Sequence, residues 1–434
     1  MVTKKHHTKK NRKTRKNSSQ VVDYLNSICK DSHYCISFGI EQKKINNFFD
    51  DFVFFTYAIS PVKTINVGCN GIIKKIIYER YHYKSYAIIK FSLKQRKDSI
   101  LYEYLVGCFL NQYTNILPSF IHTYGLYKET FQPNELKKKN MSVEELKSHL
   151  QYLNKVNLSN PSLELGCIHS LGLLLEHIQP YITLDTVIEH NEKYPQFFKM
   201  DIITILYQLY YTLFFLSKKF THYDLHLGNV LLYKPSKNGY INFIYHHQNN
   251  EVTSFKSQYV VKIIDYGRCF FQDENISSYS IYKKLCEIKK CEPDCGDNYG
   301  FGWLNSESTA SNYFVNSQKI NVSHDLRYLY ELNRKLKKYG ITNVDPSLKK
   351  ILSSVLYGVE ISNEKNKRFG TKEINESNQS EYEKLYPHKI KNVMEAKEEI
   401  QKYVFCDMTH FKKLKKIGDL HIFENGDNMR YIPY

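Results

Sequence analysis

The sequence predicts an α+β protein of two lobes, the first rich in β-structure and the second mainly helical, and three observations lead there. From Asp51 the runs DFVFFTYAI, GIIKKIIYE and YKSYAIIKF are rich in β-branched and aromatic residues. They are separated by SPVKTINVGCN and RYH, which predicts an antiparallel meander. Between about Phe197 and Lys219 an apolar stretch carries Thr204, Gln208 and Thr212 as a narrow polar line, the pattern of a helix buried inside a domain. A content of 42% hydrophobic residues over 434 positions is enough to fill a core for such an architecture.

Charge and cysteine usage narrow the function classes. The net charge is +17, but residues 1–20 hold eight Lys or Arg and no acid, which leaves a mildly basic body. That tail reads as a solvated disordered arm, and it is also compatible with a weak nucleic-acid contact or a nuclear localisation signal. Ten Cys without a small-domain disulfide framework, and no signal-peptide order at the start, predict a reducing, cytoplasmic setting. Ile202 to Leu216 would span about 22 Å as a helix, short of a hydrocarbon core of about 30 Å, so no membrane span is expected. The bias to Lys, Asn, Ile and Tyr resembles the product of an AT-rich genome and needs no functional reading.

Taken in order, residues 21–50 form an N-terminal extension and residues 51–178 the first lobe. A helix is expected from Ser99 through Asn111, with Leu101, Leu105, Cys108 and Phe109 at helical spacing. Residues at about 130–162 read as a peripheral insertion, one charged helix flanked by loop. The strand SLGLLLEHI follows, then a hinge near Glu176 to Pro180, a short helix near Leu184 and the long buried helix. Beyond it come the strand VLLY, a polar excursion from Lys234 to Ser257, the strand YVVKIID, and a helix LRYLYELNRKLKKYG ending at Gly340. Residues 361–385 read as loop, and the second lobe, 179–434, closes on a C-terminal helical extension.

Four motifs stand in an order that suits phosphoryl transfer. Gly68 and Gly71 in NVGCNGII lie between two predicted strands, where residues without a Cβ let backbone amides approach phosphate oxygens. Lys90 ends the strand YAIIK, and Glu103 follows thirteen residues later in the predicted helix. HYDLHLGN at 222–229 puts a carboxylate, Asp224, five residues before a carboxamide, Asn229, in a tight loop between a helix and a short strand. IIDYG at 263–267 ends an apolar strand in Asp265 beside a flexible Gly, a way to present a carboxylate to magnesium.

With these residues in place, the chain resembles the protein-kinase-like superfamily from about residue 51 to at least 340. Lys90 fits the strand lysine of V-A-I-K, Glu103 its helix partner, Asp224 and Asn229 the H-R-D-x-x-x-x-N loop, and Asp265 to Gly267 the D-F-G with Tyr266 for Phe. The runs EYLVGCFLNQYTNILPSFIHTYG, DLHLGNVLLY and IIDYGR are similar in flavour to putative serine/threonine protein kinases of large nucleocytoplasmic DNA viruses. The resemblance implies an ATP- and Mg2+-dependent kinase. Asp224 would orient or deprotonate the acceptor hydroxyl, Asn229 and Asp265 would bind magnesium, and Lys90 would clamp the phosphates with Glu103 as partner. Gly68 and Gly71 would cover the phosphates, and the adenine would lie against the hinge at Glu176 and Ile178.

The chain also departs from that pattern. Tyr223 replaces the loop arginine, which removes the usual pocket for an activation-loop phosphate, and no A-P-E follows Asp265. His226 stands where protein kinases place a lysine that meets the γ-phosphate, as in the D-x-H-x-x-N loops of aminoglycoside and choline kinases, and is expected as a catalytic residue to donate to phosphate or else to contact Asp265. The resemblance implies Ser or Thr on a protein as the acceptor, whereas His226 and the missing A-P-E favour a small alcohol as the alternative, with an ATP-binding pseudokinase as a second. Two other readings compete with this one. His222, Asp224 and His226 would form a metal face only on a strand, which Gly228 and the preceding helix argue against. Cys286, Cys291 and Cys295 are spaced more as an irregular loop than as a zinc site, and under the kinase reading His222 holds the DYG backbone.

Overall fold

The computed structural model describes residues 40–68, 71–81, 83–93, 100–153, 169–274, 276–278, 280–281, 284, 320–357, 379–404 and 410–433. The basic tail and the three clustered cysteines lie outside the described residues. The first lobe begins with α1 (Ile40–Phe48), followed by β1 (Ala58–Val67), β2 (Gly71–Arg80), β3 (Tyr83–Ser92), α2 (Ile100–Asn111) and β4 (Thr123–Glu129). Two of the three expected strands form as read. The first does not: residues 51–57 are turns whose rings plug the core, with Phe52 and Phe55 buried, and β1 instead runs through the SPVKTINV segment expected to be a turn. Aromatic content mimicked a strand there, whereas the real strand is polar because most of its outer face meets water.

The insertion is not peripheral. It contributes a short helix at Pro133–Leu136, β5 (Asn140–Met141), α3 (Val143–Ser148) and β6 (Leu150–Leu153). β5 pairs with β1 and β6 with β4, so the insertion covers both edges of one seven-stranded sheet, in the order β5-β1-β2-β3-β7-β4-β6, with β7 at Leu171–Glu176. Leu136, Met141, Val143 and Leu146 join Ile45, Phe48, Phe52 and Phe55 in a core on one face of that sheet. The apolar positions of this stretch are what made it an integral part of the lobe.

The second lobe continues through β8 (Tyr181–Thr183), α4 (Leu184–Glu189), a turn of helix at Phe197–Met200, α5 (Ile202–Phe215), β9 (Phe220–Thr221), β10 (Val230–Tyr233), β11 (Gly239–His246), β12 (Val252–Ser257), β13 (Val260–Ile263) and β14 (Phe270–Phe271). The expected single helix breaks at Asp201. Then come α6 (Arg327–Lys338), α7 (Pro346–Ser354), a helix at Gln379–Leu385, α8 (Val393–Gln401), β15 (Lys415–Phe423) and β16 (Arg430–Pro433).

Two expectations are corrected here. The polar excursion at 234–257 is a β-hairpin, and the chain ends in strands rather than helix: β15 runs parallel to β11 in a four-stranded sheet ordered β12-β11-β15-β16. This sheet packs on α5 through Tyr207, Tyr211, Tyr245 and Phe255, with Tyr211 and Tyr245 ring centroids 4.5 Å apart. Residues 379–385, read as loop, form a short helix. Among the described residues no helix is long and apolar enough to cross a membrane.

A second and larger core runs from α2 through β7, α5 and the short strands β10 and β13 to α6, binding the two lobes across the strand β7 and the segment after it. The architecture is a bilobal α+β fold, a β-rich lobe and a mainly helical one, and the loop after β13 meets the β-lobe where Lys90 reaches Asp265.

Candidate active site

The lysine motif is assembled from two elements that glycine brings together. Gly107 lets α2 lie directly on β4, since a Cβ there would fall 2.1 Å from Thr123 Oγ1. That close packing sets Glu103, whose side chain is 2% exposed, against the end of β3, and Lys90 Nζ donates to its Oε2 at 2.7 Å. Lys90 also donates to Asp265 Oδ1 at 2.9 Å. Burial alone would pull the Lys90 ammonium down, but Asp265 and Glu103 outweigh it and hold its pKa above the usual range. Lys90 in turn lowers the Asp265 carboxyl to about 2, whereas burial keeps the Glu103 carboxyl above its usual value despite Lys90.

The loop from His222 to Asn229 is irregular, not a strand, so His222, Asp224 and His226 do not form a metal face, and among the described residues no group of three or more potential ligands is found. Asn229 Nδ2 donates to the Asp224 carbonyl at 2.9 Å, and the Asn229 amide donates to His226 O at 3.0 Å, closing the loop on itself. His222 Nε2 donates to Ile264 O at 3.0 Å and so ties this loop to the backbone before Asp265. Burial keeps that imidazole below its usual pKa, and therefore neutral. His226 Nδ1 accepts from the Gly228 amide at 3.1 Å, turning to its own loop rather than to Asp265.

Two residues sit in left-handed backbone at this site, Tyr223 at φ 60° and Asp265 at φ 67°. The first is held by its surroundings: Asp325, just before α6, accepts from the amides of His222 at 2.8 Å and Tyr223 at 3.0 Å, while the buried Tyr223 ring packs on His324. Tyr266 is buried behind Asp265, its hydroxyl donating to Ile263 O at 2.8 Å and accepting from the Ile121 amide at 3.2 Å.

Asp224 itself is bracketed by two guanidinium groups. Arg327 Nη1 lies 2.9 Å from its Oδ1 and Arg268 Nη1 3.3 Å from its Oδ2. Arg327 is buried and also holds Glu331 through Nε at 2.8 Å. Sequence reasoning missed Asp325 and Arg327. Their signal, had it been used, was an Asp-x-Arg placed directly before an amphipathic helix, where a surface helix would need no such pair.

The remaining expected residues fall at the rim. Gly68 is exposed and its amide donates to Gly71 O at 2.9 Å, while Gly71 is required by the approach of β3, where a Cβ would lie 2.4 Å from Phe91 O. Glu176 ends β7, its amide donating to His122 O and its Oε2 accepting from the His122 amide at 2.9 Å. Ile178 is buried beside it. Lys75, on β2, reaches Gln179 Oε1 at 3.3 Å and links the β-lobe to the segment after β7, a contact not foreseen from sequence.

No protein-family model matches the chain. No curated protein matches it either. Among solved structures, the crystal structure of the kinase domain of PF14_0431 from Plasmodium is similar, at 16% identity and a TM-score of 0.29, over 51% of this chain and 54% of that one. The chain thus spans about half the length of that structure, and so loose a superposition adds no weight to the assignment. The fold reading rests on the lobes and the lysine–glutamate–aspartate cluster described above.

Proposed function

We propose that this chain is an ATP- and magnesium-dependent phosphotransferase that passes the γ-phosphoryl group to a hydroxyl, that of Ser or Thr in a protein. The observation that carries the reading is Lys90 meeting both Glu103 and Asp265, which joins the β-lobe clamp to the carboxylate at the end of β13 in one charged cluster. Asp224 stands at the acceptor side, in a loop whose backbone Asp325 and Asn229 fix.

The residues fit the nucleotide and the metal. Asp265 is held ionised and partly exposed, and Asn229 commits its amide nitrogen to the loop, leaving its oxygen as the group that would meet a cation. Magnesium would be held by Asn229 and Asp265, and when bound it neutralises charge on the phosphate oxygens. Lys90 orients the α- and β-phosphates, Gly68 and Gly71 cover them, and the adenine lies at Glu176 and Ile178. Asp224 holds the acceptor hydroxyl in line and takes its proton as the oxygen–phosphorus bond forms and the bond to ADP breaks.

The protein acceptor and a role of the kind found in large DNA viruses are supported by the sequence runs around Asp224 and Asp265, with the cytoplasm as working compartment. The test is to offer the protein labelled Mg·ATP with a mixed protein substrate and, separately, a panel of small alcohols. Label in protein supports the reading; label in a small alcohol alone moves the chain to the small-molecule kinases.

A further inference from the structure

Phosphoryl transfer needs a cation at the transferred group as well as at the phosphates that stay behind, because charge spreads over its equatorial oxygens in the transition state. Of the basic side chains around the loop, Lys90 is engaged by Glu103 and Asp265 on the nucleotide side. His226, two residues after Asp224, has one ring nitrogen committed to the Gly228 amide. Arg327 is 7% exposed and holds Asp224 Oδ1 together with Glu331 from beneath. Arg268 differs from all three. It follows Asp265 directly after the DYG turn, its side chain is 25% exposed, and it meets Asp224 at the other oxygen, Oδ2, at 3.3 Å.

Resting on the phosphotransferase reading above, we infer that Arg268 is a catalytic residue that contacts the phosphoryl group in flight, supplied from the segment after Asp265 instead of from the loop after Asp224. Its guanidinium meets the Asp224 carboxylate from the segment that directly follows Asp265 and Gly267. In the resting site it covers Asp224 Oδ2. When the acceptor hydroxyl arrives, Oδ2 takes the hydroxyl proton, the acceptor oxygen bonds to phosphorus, the bond to ADP breaks with its electron pair leaving on ADP, and Arg268 turns its N–H groups to the equatorial oxygens. Arg327 keeps Oδ1 throughout, so the carboxylate does not swing. A planar, delocalised fork suits that exchange better than an ammonium, because it moves from one pair of oxygens to another without losing both contacts.

The experiment uses aluminium fluoride with Mg·ADP as a planar mimic of the transferred group. Binding of Mg·ADP, with and without aluminium fluoride, is measured by calorimetry for the parent, Arg268→Met and Arg268→Lys. The expected result is that Arg268→Met binds Mg·ADP like the parent but loses about tenfold or more of the gain from aluminium fluoride, with Arg268→Lys between them, and that kcat falls about 10²- to 10³-fold with the KM for ATP little changed. If Arg268→Met keeps the gain and the rate, or loses Mg·ADP binding in equal measure, the role assigned to Arg268 falls while the phosphotransferase reading stands. If the parent binds no Mg·ADP, that reading falls and takes this role with it.

Discussion

Arg327 and Asp224 form a partly buried ion pair across 103 positions of sequence, Nη1 to Oδ1 at 2.9 Å, and the same guanidinium holds Glu331 through Nε at 2.8 Å. Helix α6 thereby supports the Asp224 carboxylate. Arg327→Met takes one cation from Asp224, which keeps Arg268, and a partner from the largely buried Glu331, so it is expected to cost about 2 kcal/mol of stability. Denaturant unfolding at constant slope checks this; a change within about 0.5 kcal/mol would mean that water reaches the pair freely.

Asp325 is the acceptor for two backbone amides, those of His222 and Tyr223. Asp325→Ala orphans both inside the core and frees Tyr223 from its left-handed conformation, for an expected loss of about 2–3 kcal/mol. Turnover should fall more than Mg·ATP affinity, because the loop bearing Asp224 loses its anchor while the nucleotide side keeps Lys90. Equal losses in both would place the role of Asp325 in global folding alone.

Lys90→Met separates the clamp from the fold. It removes the cation from both Glu103 and Asp265, and the rate of transfer should drop about 10²- to 10³-fold, with Lys90→Arg recovering part of it. Steady-state kinetics with Mg·ATP measures this. An unaltered rate would remove Lys90 from the site.

Acid should weaken the region beside β7 through two histidines. Burial lowers His122 to about 4 and His177 to about 4, with nearby Lys262 and Lys75 adding to it respectively. Both are neutral in the folded protein and protonate near pH 6.5 when unfolded, so between about pH 6.5 and 4 the unfolded state binds more protons. Stability therefore falls as pH drops through that window. Unfolding at pH 7 and 4.5 for the parent and a His122→Gln, His177→Gln double variant tests it: the double variant should lose less on acidification. The same loss in both would assign the acid sensitivity elsewhere.

What was legible in the sequence follows from where the constraint lies. Lys90, Glu103, Asp224, Asn229 and Asp265 stand out because each falls in a local motif, and the fold brings Lys90, Glu103 and Asp265 into one cluster and Asp224 and Asn229 into one loop. Asp325, Arg327 and the turn of His226 toward Gly228 were not legible, since each depends on a contact that local pattern does not encode. The same holds for the fold. β2 and β3 alternate as strands should, whereas β1 is a polar strand beside an aromatic plug, and the parallel pairing of β11 with β15 joins segments far apart in the chain.

The most direct test of the account is transfer of labelled γ-phosphate from Mg·ATP by the parent and by Asp224→Asn, each checked for Mg·ATP binding. The account predicts transfer by the parent, nucleotide binding by both, and a rate in the variant lower by about 10²- to 10⁴-fold. Transfer by Asp224→Asn at the parental rate would contradict it.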